Sequence, residues 1–450
     1  MIPLPELGPT RPLTLPTAVE RTLANGVTVI AIERATVPLV EVRLRLPFAR
    51  ANLARAVLLT QTMFSGTSEL STVEIAAELQ KIGGGLSAGA DPDRLVVSGS
   101  ALAGDVDRLL ELLALVLSDA VYPSSEVATE RARLADRIRV SRSQPAHLAR
   151  AALLERVYGR HPYAVQTPSP EQVLGVRPAA LRTLHAERVH PAGATLVIVG
   201  DLDPERAVDA AEAALSGWSG AGRSVDLPPI PPLLPGPLTL VDRPGSVQSS
   251  LRIALPAVPR TDPDHAALQL ANLIFGGYFS SRWVENIRED KGYTYGPHSM
   301  IEHSVAGSSL TISAEVATEV TAPALLETQY ELGRIASLPP AEEELTQARQ
   351  YAIGTLQLGM STQGGIAGLA STYAGFGLRL DYLAEHAAKL AKATREDVAA
   401  VAARYLAPTR AVAVVLGDAS EIAGPLAALT PVVTVPSGGA SGRGASGGAA

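Results

Sequence analysis

Apolar and polar positions alternate along the chain in two rhythms. Leu23-Ala24-Asn25-Gly26 reads as a turn, and Val27-Thr28-Val29-Ile30-Ala31-Ile32 after it reads as a strand. Val40-Glu41-Val42-Arg43-Leu44-Arg45-Leu46 alternates strictly, which predicts a strand with one buried face. From residue 105 to 118 the rhythm changes. Val106, Leu109, Leu110, Leu113 and Leu117 recur at helical spacing. Ser124-Ser125-Glu126 then forms a helix start ahead of an arginine-rich stretch. Leu238-Thr239-Leu240-Val241-Asp242 and Ser249–Leu255 read as strands, and a helix is predicted from about Pro263 to Ile274.

The rhythm repeats. Pro191 and Pro408, Gly200-Asp201 and Gly417-Asp418, and Pro123 and Pro340 all stand 217 residues apart. Three marks in one register predict an internal duplication. Residues 227–237 hold six prolines, so they cannot pack as a helix or a central strand. The expected organisation is an N-terminal extension (1–19), a first domain (20–225), a proline-rich linker (226–237), a second domain (238–431) and a disordered Gly/Ser/Ala tail (432–450).

Composition narrows the function. The 450 residues suit two domains of about 200, and 46% hydrophobic content is ample for their cores. Aromatic residues are only 4%, so those cores are aliphatic. A formal charge of −7 leaves no basic footprint for nucleic acid. Zero cysteines exclude disulfides, thiolate metal sites and cysteine nucleophiles. No apolar run is long enough to span a bilayer, and the first residues lack a signal-peptide pattern. The expectation is a cytoplasmic protein without a membrane segment.

Residues Ala56-Val57-Leu58-Leu59-Thr60-Gln61-Thr62-Met63-Phe64-Ser65-Gly66-Thr67 resemble the zinc helix of the pitrilysin/insulinase (M16) peptidases, whose metal motif is H-x-x-E-H. Ala56, Met63-Phe64 and Gly66-Thr67 keep the frame. The chemical positions are Val57, Thr60 and Gln61. Valine offers a metal no lone pair, threonine cannot serve as general base, and glutamine is a poor zinc ligand. The family's third ligand, a later glutamate, falls on Arg137 within Glu130–Ile138, or on Asp136 if the register slips. Of eight histidines, no two have H-x-x-x-H spacing. No metal is therefore expected in this chain.

The second half keeps more. Phe275-Gly276-Gly277-Tyr278-Phe279-Ser280-Ser281-Arg282 through Arg288 and Tyr295 resembles the family's G-G-x-x-S-S-R-L-x-x-x-I-R-x-x-x-G-x-x-Y. The resemblance implies that Arg288 and Tyr295 reach a zinc site from the opposite half of a clamshell. A guanidinium can fork onto peptide carbonyls, and a phenol can donate to an oxyanion. Tyr293 is the rival phenol. Gly276 and Gly277 either face substrate or cap a helix. Ser87, Ala88 and Gly89 mark an edge strand to which a peptide could add.

The order of these motifs over residues 20 to 430 implies an α+β fold of two homologous halves, each a mostly antiparallel sheet with helices on one face. It also implies a non-catalytic subunit, its partner a homologous chain with intact H-x-x-E-H that carries the zinc, and a peptide as substrate. The alternative is a structural or peptide-binding scaffold; a self-sufficient hydrolase with unorthodox ligands is a third reading.

Overall fold

The computed structural model describes residues 13–220, 222 and 225–437. The first half contains strands β1 (Ala18–Thr22), β2 (Thr28–Glu33), β3 (Leu39–Pro47), β4 (Gly85–Ala90), β5 (Arg94–Leu102) and β6 (Thr195–Gly200). The second contains β7 (Leu238–Asp242), β8 (Gln248–Pro256), β9 (His298–Ser304), β10 (Gly307–Ala317), β11 (Val412–Gly417) and β12 (Val432–Pro436). Their orders are β1-β2-β6-β3-β5-β4 and β12-β7-β11-β8-β10-β9. Each sheet is mixed and mostly antiparallel. Strands β6 and β11 start and end 217 residues apart, as the duplication predicts.

Each sheet packs its own helices on one face. Val40, Val42, Leu44 and Leu46 of β3 bury against the helices Leu53–Thr62 and Val106–Asp119. The other face is not open either: the opposite half covers it. Helix Gln363–Ala374 of the second half lies on β3 and β6, where Ile366, Ala367 and Ala370 meet Ile32, Val197 and Val199. Helix Pro145–Tyr158 of the first half lies on β8 and β11 in return, through Ala149, Ala152 and Leu153. The halves thus exchange one helix each.

Polar contacts lock the exchange. The Gln363 amide lies 2.6, 2.9 and 3.1 Å from the carbonyls of Arg34, Val37 and Leu39. Arg150 clasps Glu302 at 3.0 and 3.2 Å. The β9–β10 hairpin tip donates from Val305 to Asp93 and from Ala306 to the Tyr163 phenol, both at 3.0 Å. His161, in the run Gly159–Tyr163, meets the Pro228 carbonyl of the proline-rich segment at 2.9 Å.

Two expected boundaries move. Residues 432–436 form strand β12 beside β7, so the second half runs through Pro436; residues 438–450 lie outside the described residues. Alternation of Val432, Val433 and Val435 with β-tolerant neighbours suits a strand, whereas the glycine-rich composition begins only after Ser437. At the other end β1 starts at Ala18, inside the expected extension.

Candidate functional site

The metal-motif helix Leu53–Thr62 starts at Asn52, whose side chain accepts from the Arg55 amide at 3.1 Å. Its frame residues are core: Ala56 and Met63 are buried, as are Leu58 and Leu59. Val57 and Gln61 are four apart and share a helix face. Thr60 is buried, and its hydroxyl donates back to the Val57 carbonyl at 2.9 Å. Gln61 is exposed, and its Oε1 accepts from Arg137 Nη2 at 3.0 Å. The structure therefore joins residue 61 to residue 137 on helix Ser124–Ser143, as a metal site there would require, but with an amide and a guanidinium. Asp136 points elsewhere and pairs with Arg139 on the exposed face.

These side chains do not fit a zinc ion. A guanidinium beside the position adds positive charge and offers no lone pair. Among the described residues no three His, Cys, Asp or Glu side chains are placed to hold a metal.

The second half builds its motif from the core outward. Trp283 is buried, stacks on Phe275 and donates to Thr328 at 3.0 Å. Arg282 grips Glu344 with two bonds of 2.5 and 2.6 Å. Ile287 is buried one residue before Arg288. The segment Glu285–Asp290 is a single π turn, and Gly292 reverses the chain at φ 65°. That reversal carries Tyr295 back beside Arg288.

The Arg288 guanidinium carbon lies 4.1 Å from the centre of the Phe279 ring and 5.2 Å from that of Tyr295. Its ion pair is with Glu289 at 3.5 Å. Tyr295 is 88% exposed, and its phenol makes no hydrogen bond among the described residues. Tyr293 is partly buried and packs against the core. The structure thus brings Arg288 and Tyr295 together and adds Phe279, whose role the bare spacing did not signal.

Gly276 and Gly277 close a π turn, Leu273–Gly277, at the end of helix His265–Asn272, and neither has positive φ. Gly276 is buried, and a Cβ on it would fall 2.9 Å from Trp283 and from Ser299. Its missing side chain makes room for the tryptophan. The open part of this loop is Phe279-Ser280, beside half-exposed Gly277, while Gly276 is taken up by packing. Ser87, Ala88 and Gly89 do lie on an edge strand, β4, bordering a groove of about 400 Å³.

A histidine cluster was invisible in the spacing. His265 and His303 face each other through Nε2 atoms 3.2 Å apart, and the His265 and His386 rings are 4.8 Å apart. Tyr382 donates to the Arg260 carbonyl, so its oxygen accepts from His265 Nδ1–H at 3.2 Å. His265 Nε2 is then the acceptor from His303. Burial holds His265 down to about 2, His303 to about 3 and His386 to about 4. The three imidazoles are neutral at pH 7.

This two-sheet architecture, with an altered metal helix in one half and an Arg/Tyr loop in the other, defines an M16-type chain. The profile described as "Insulinase (Peptidase family M16)" matches residues 52–171, and that described as "Peptidase M16 inactive domain" matches 175–351, together more than half of the chain. The chain belongs to peptidase family M16. An uncharacterized zinc protease of Mycobacterium bovis is 24% identical over 372 residues, covering 80% of this chain and 83% of its own. One of Streptomyces coelicolor is 21% identical over 357 residues, covering 76% of each. The peptidase M16 inactive domain from Pseudomonas fluorescens matches with a TM-score of 0.82 at 24% identity, over 89% of this chain and 98% of that one. A protease from Helicobacter pylori matches at 0.80 and 17%, over 90% and 100%. At such identities the structural likeness speaks for the fold. Among the described residues no helix is long and apolar enough to cross a membrane.

Proposed function

We propose that this chain is the non-catalytic, substrate-binding subunit of a heterodimeric M16 metallopeptidase acting on peptides or small unfolded proteins. One observation carries the reading. Tyr295 stands exposed with its phenol unbonded beside half-buried Arg288, whose ion pair is with its neighbour Glu289, whereas the metal helix holds a Gln61–Arg137 hydrogen bond. A homologous partner with intact H-x-x-E-H would hold the zinc, which supplies the attacking hydroxide. Arg288 would donate its fork to substrate carbonyls, steadied by the Phe279 ring. Tyr295 would donate its phenolic proton's hydrogen bond to the carbonyl oxygen as negative charge builds there. Edge β4 would take the peptide by strand addition, through Ser87, Ala88 and Gly89. We assign this work to the cytoplasm, which cell fractionation tests.

The deciding assay follows cleavage of a quenched fluorescent peptide by this chain, by a partner with H-x-x-E-H, and by their mixture. Cleavage by the mixture alone, reduced by Arg288→Ala or Tyr295→Phe without loss of the complex, supports the reading. A partner equally fast by itself would make this chain a scaffold.

A further inference from the structure

Strands β4 and β5 turn a short polar grid away from the first-half core. Leu86, Ala88 and Ala90 of β4 and Leu95 and Val97 of β5 go to that core. The period of 2 therefore sends Ser87 and Gly89, with Val96 and Ser98, to the other face. The register sets Ser87 against Ser98 and Gly89 against Val96, and the turn beyond brings Asp91 beside Arg94. All six border the groove of about 400 Å³. Gly89 leaves it open: a Cβ there would meet nothing within 4 Å. Strand β4 ends its sheet, so its outer edge has no strand partner there.

The unspent groups in this groove are donors. Asp91 accepts from the amides of Asp93 and Arg94 at 2.8 and 3.0 Å, and from Arg94 Nε at 2.9 Å. Those three bonds close the turn and hold the guanidinium by one edge. Its other edge, Nη1 and Nη2, makes no hydrogen bond among the described residues, and the side chain is 33% exposed. The Ser98 hydroxyl is also unbonded among them, and that of Ser87 reaches only the Ser98 carbonyl, at 3.5 Å. A second cation lies behind the grid. Arg45 is the register partner of Val96 on β3, buried under the end of the exchanged helix at Gly375. Burial, then repulsion from Arg94, pushes its pKa down to about 10, against the pull of Asp91 and Asp93. Arg45 thus adds positive field to the site and no contact.

We propose that this groove takes an acidic side chain of a peptide added along β4, and that Arg94 reads its carboxylate. The inference rests on the reading of β4 as the peptide edge. A strand added there would lie about 4.8 Å from β4 and turn every second side chain to the groove face. The one beside Gly89 finds no side chain in its way. A glutamate at that place would meet the free edge of the Arg94 guanidinium, whose fork matches two carboxylate oxygens. A lysine there would meet the Arg94 charge and a carboxylate already held by three N–H groups.

The test is fluorescence anisotropy of this chain alone with short labelled peptides, amidated at the C-terminus and differing only in a central glutamate, glutamine or lysine. Wild-type protein should bind the glutamate form about tenfold more tightly than the glutamine form, and the lysine form no more tightly than glutamine. Arg94→Gln should bind glutamate and glutamine forms alike, with the wild-type affinity for glutamine, because strand addition is untouched. If that variant fails to fold, Gly89→Leu fills the groove at a place with room for a side chain and should equally erase the preference. Equal binding of glutamate and glutamine by wild type, tighter binding of lysine, or a glutamate preference that survives in the folded variant overturns the proposal and leaves β4 standing as a peptide edge. Binding of no form overturns both. No peptide is cleaved and no partner is present, so failure of the Arg288/Tyr295 reading would show in the cleavage assay and leave this result standing.

Discussion

The two halves share a sheet order yet differ at their outer edges. In the first, β1 arrives from just before β2 and pairs with it antiparallel; in the second, β12 returns from the far end of the chain and lies parallel to β7. At the opposite edges, β4 borders a groove, while the hairpin that carries β9 is fastened to Asp93 and Tyr163 of the first half. Chemistry divides the same way. The first half keeps the frame of a metal helix but not its ligands, and the second half keeps an Arg/Tyr pair whose phenol is exposed. The buried positions, Ala56, Leu58, Leu59 and Met63, hold the helix in place. Of the replaced positions, Val57 packs partly against the core, Thr60 turns its hydroxyl back on the helix, and exposed Gln61 bonds Arg137. The side chains at such positions can be exchanged while the fold stays.

Writing the ligands back gives the largest expected change. Val57→His, Thr60→Glu, Gln61→His and Arg137→Glu together should create a site that holds one zinc ion per chain, read by metal analysis. The same set without Arg137→Glu should stay metal-free, because a guanidinium would still occupy the position. Next, Arg288→Ala in the proposed heterodimer should reduce turnover about 100-fold, the scale of losing one preorganised donor. An unchanged rate would strip the second half of its distinction.

Smaller effects probe the seam. Gln363→Ala leaves the carbonyls of Arg34, Val37 and Leu39 without their donor, and should lower stability to urea by about 2–3 kcal/mol. Acid should act on the second half through His265, His303 and His386. Their folded pKa values are depressed to about 2, 3 and 4, below the unfolded value. The stability this provides is full above roughly pH 6.5 and drains as pH falls toward the folded values, by about 1.4 kcal/mol per pH unit for each imidazole. His265→Leu should flatten that slope between pH 6.5 and 4.5, measured from urea midpoints. An unchanged slope would mean the cluster is not what makes the fold acid-sensitive.

Much of this was legible in the sequence, for reasons that are local. Strict alternation marked β3, proline content marked the connection at 227–237, and the 217-residue offset marked the duplication. The Arg/Tyr loop was readable through its resemblance to the family's motif, and the structure adds that Trp283 and Ile287 are its buried anchors. What stayed hidden depends on the other half. Alternation placed Arg45 on a face expected to be wet; a helix over 300 residues later covers it. The histidines at 265, 303 and 386 meet only because three elements converge, and no spacing records that. The Gln61–Arg137 bond likewise joins two helices.

The exchange of helices sets an order on how the protein can be made. A ribosome releases the first half long before helix Gln363–Ala374 exists, so Ile32, Val197 and Val199 must wait uncovered through synthesis of the second. The nascent chain carries an apolar sheet face with no cover of its own, a surface open to chaperones and to aggregation. A fragment cut at the proline-rich segment would keep that face for good, and would strand helix Pro145–Tyr158 with no sheet beneath it. The trade ties the two similar pieces together, since each sheet draws part of its cover from a helix of the other half.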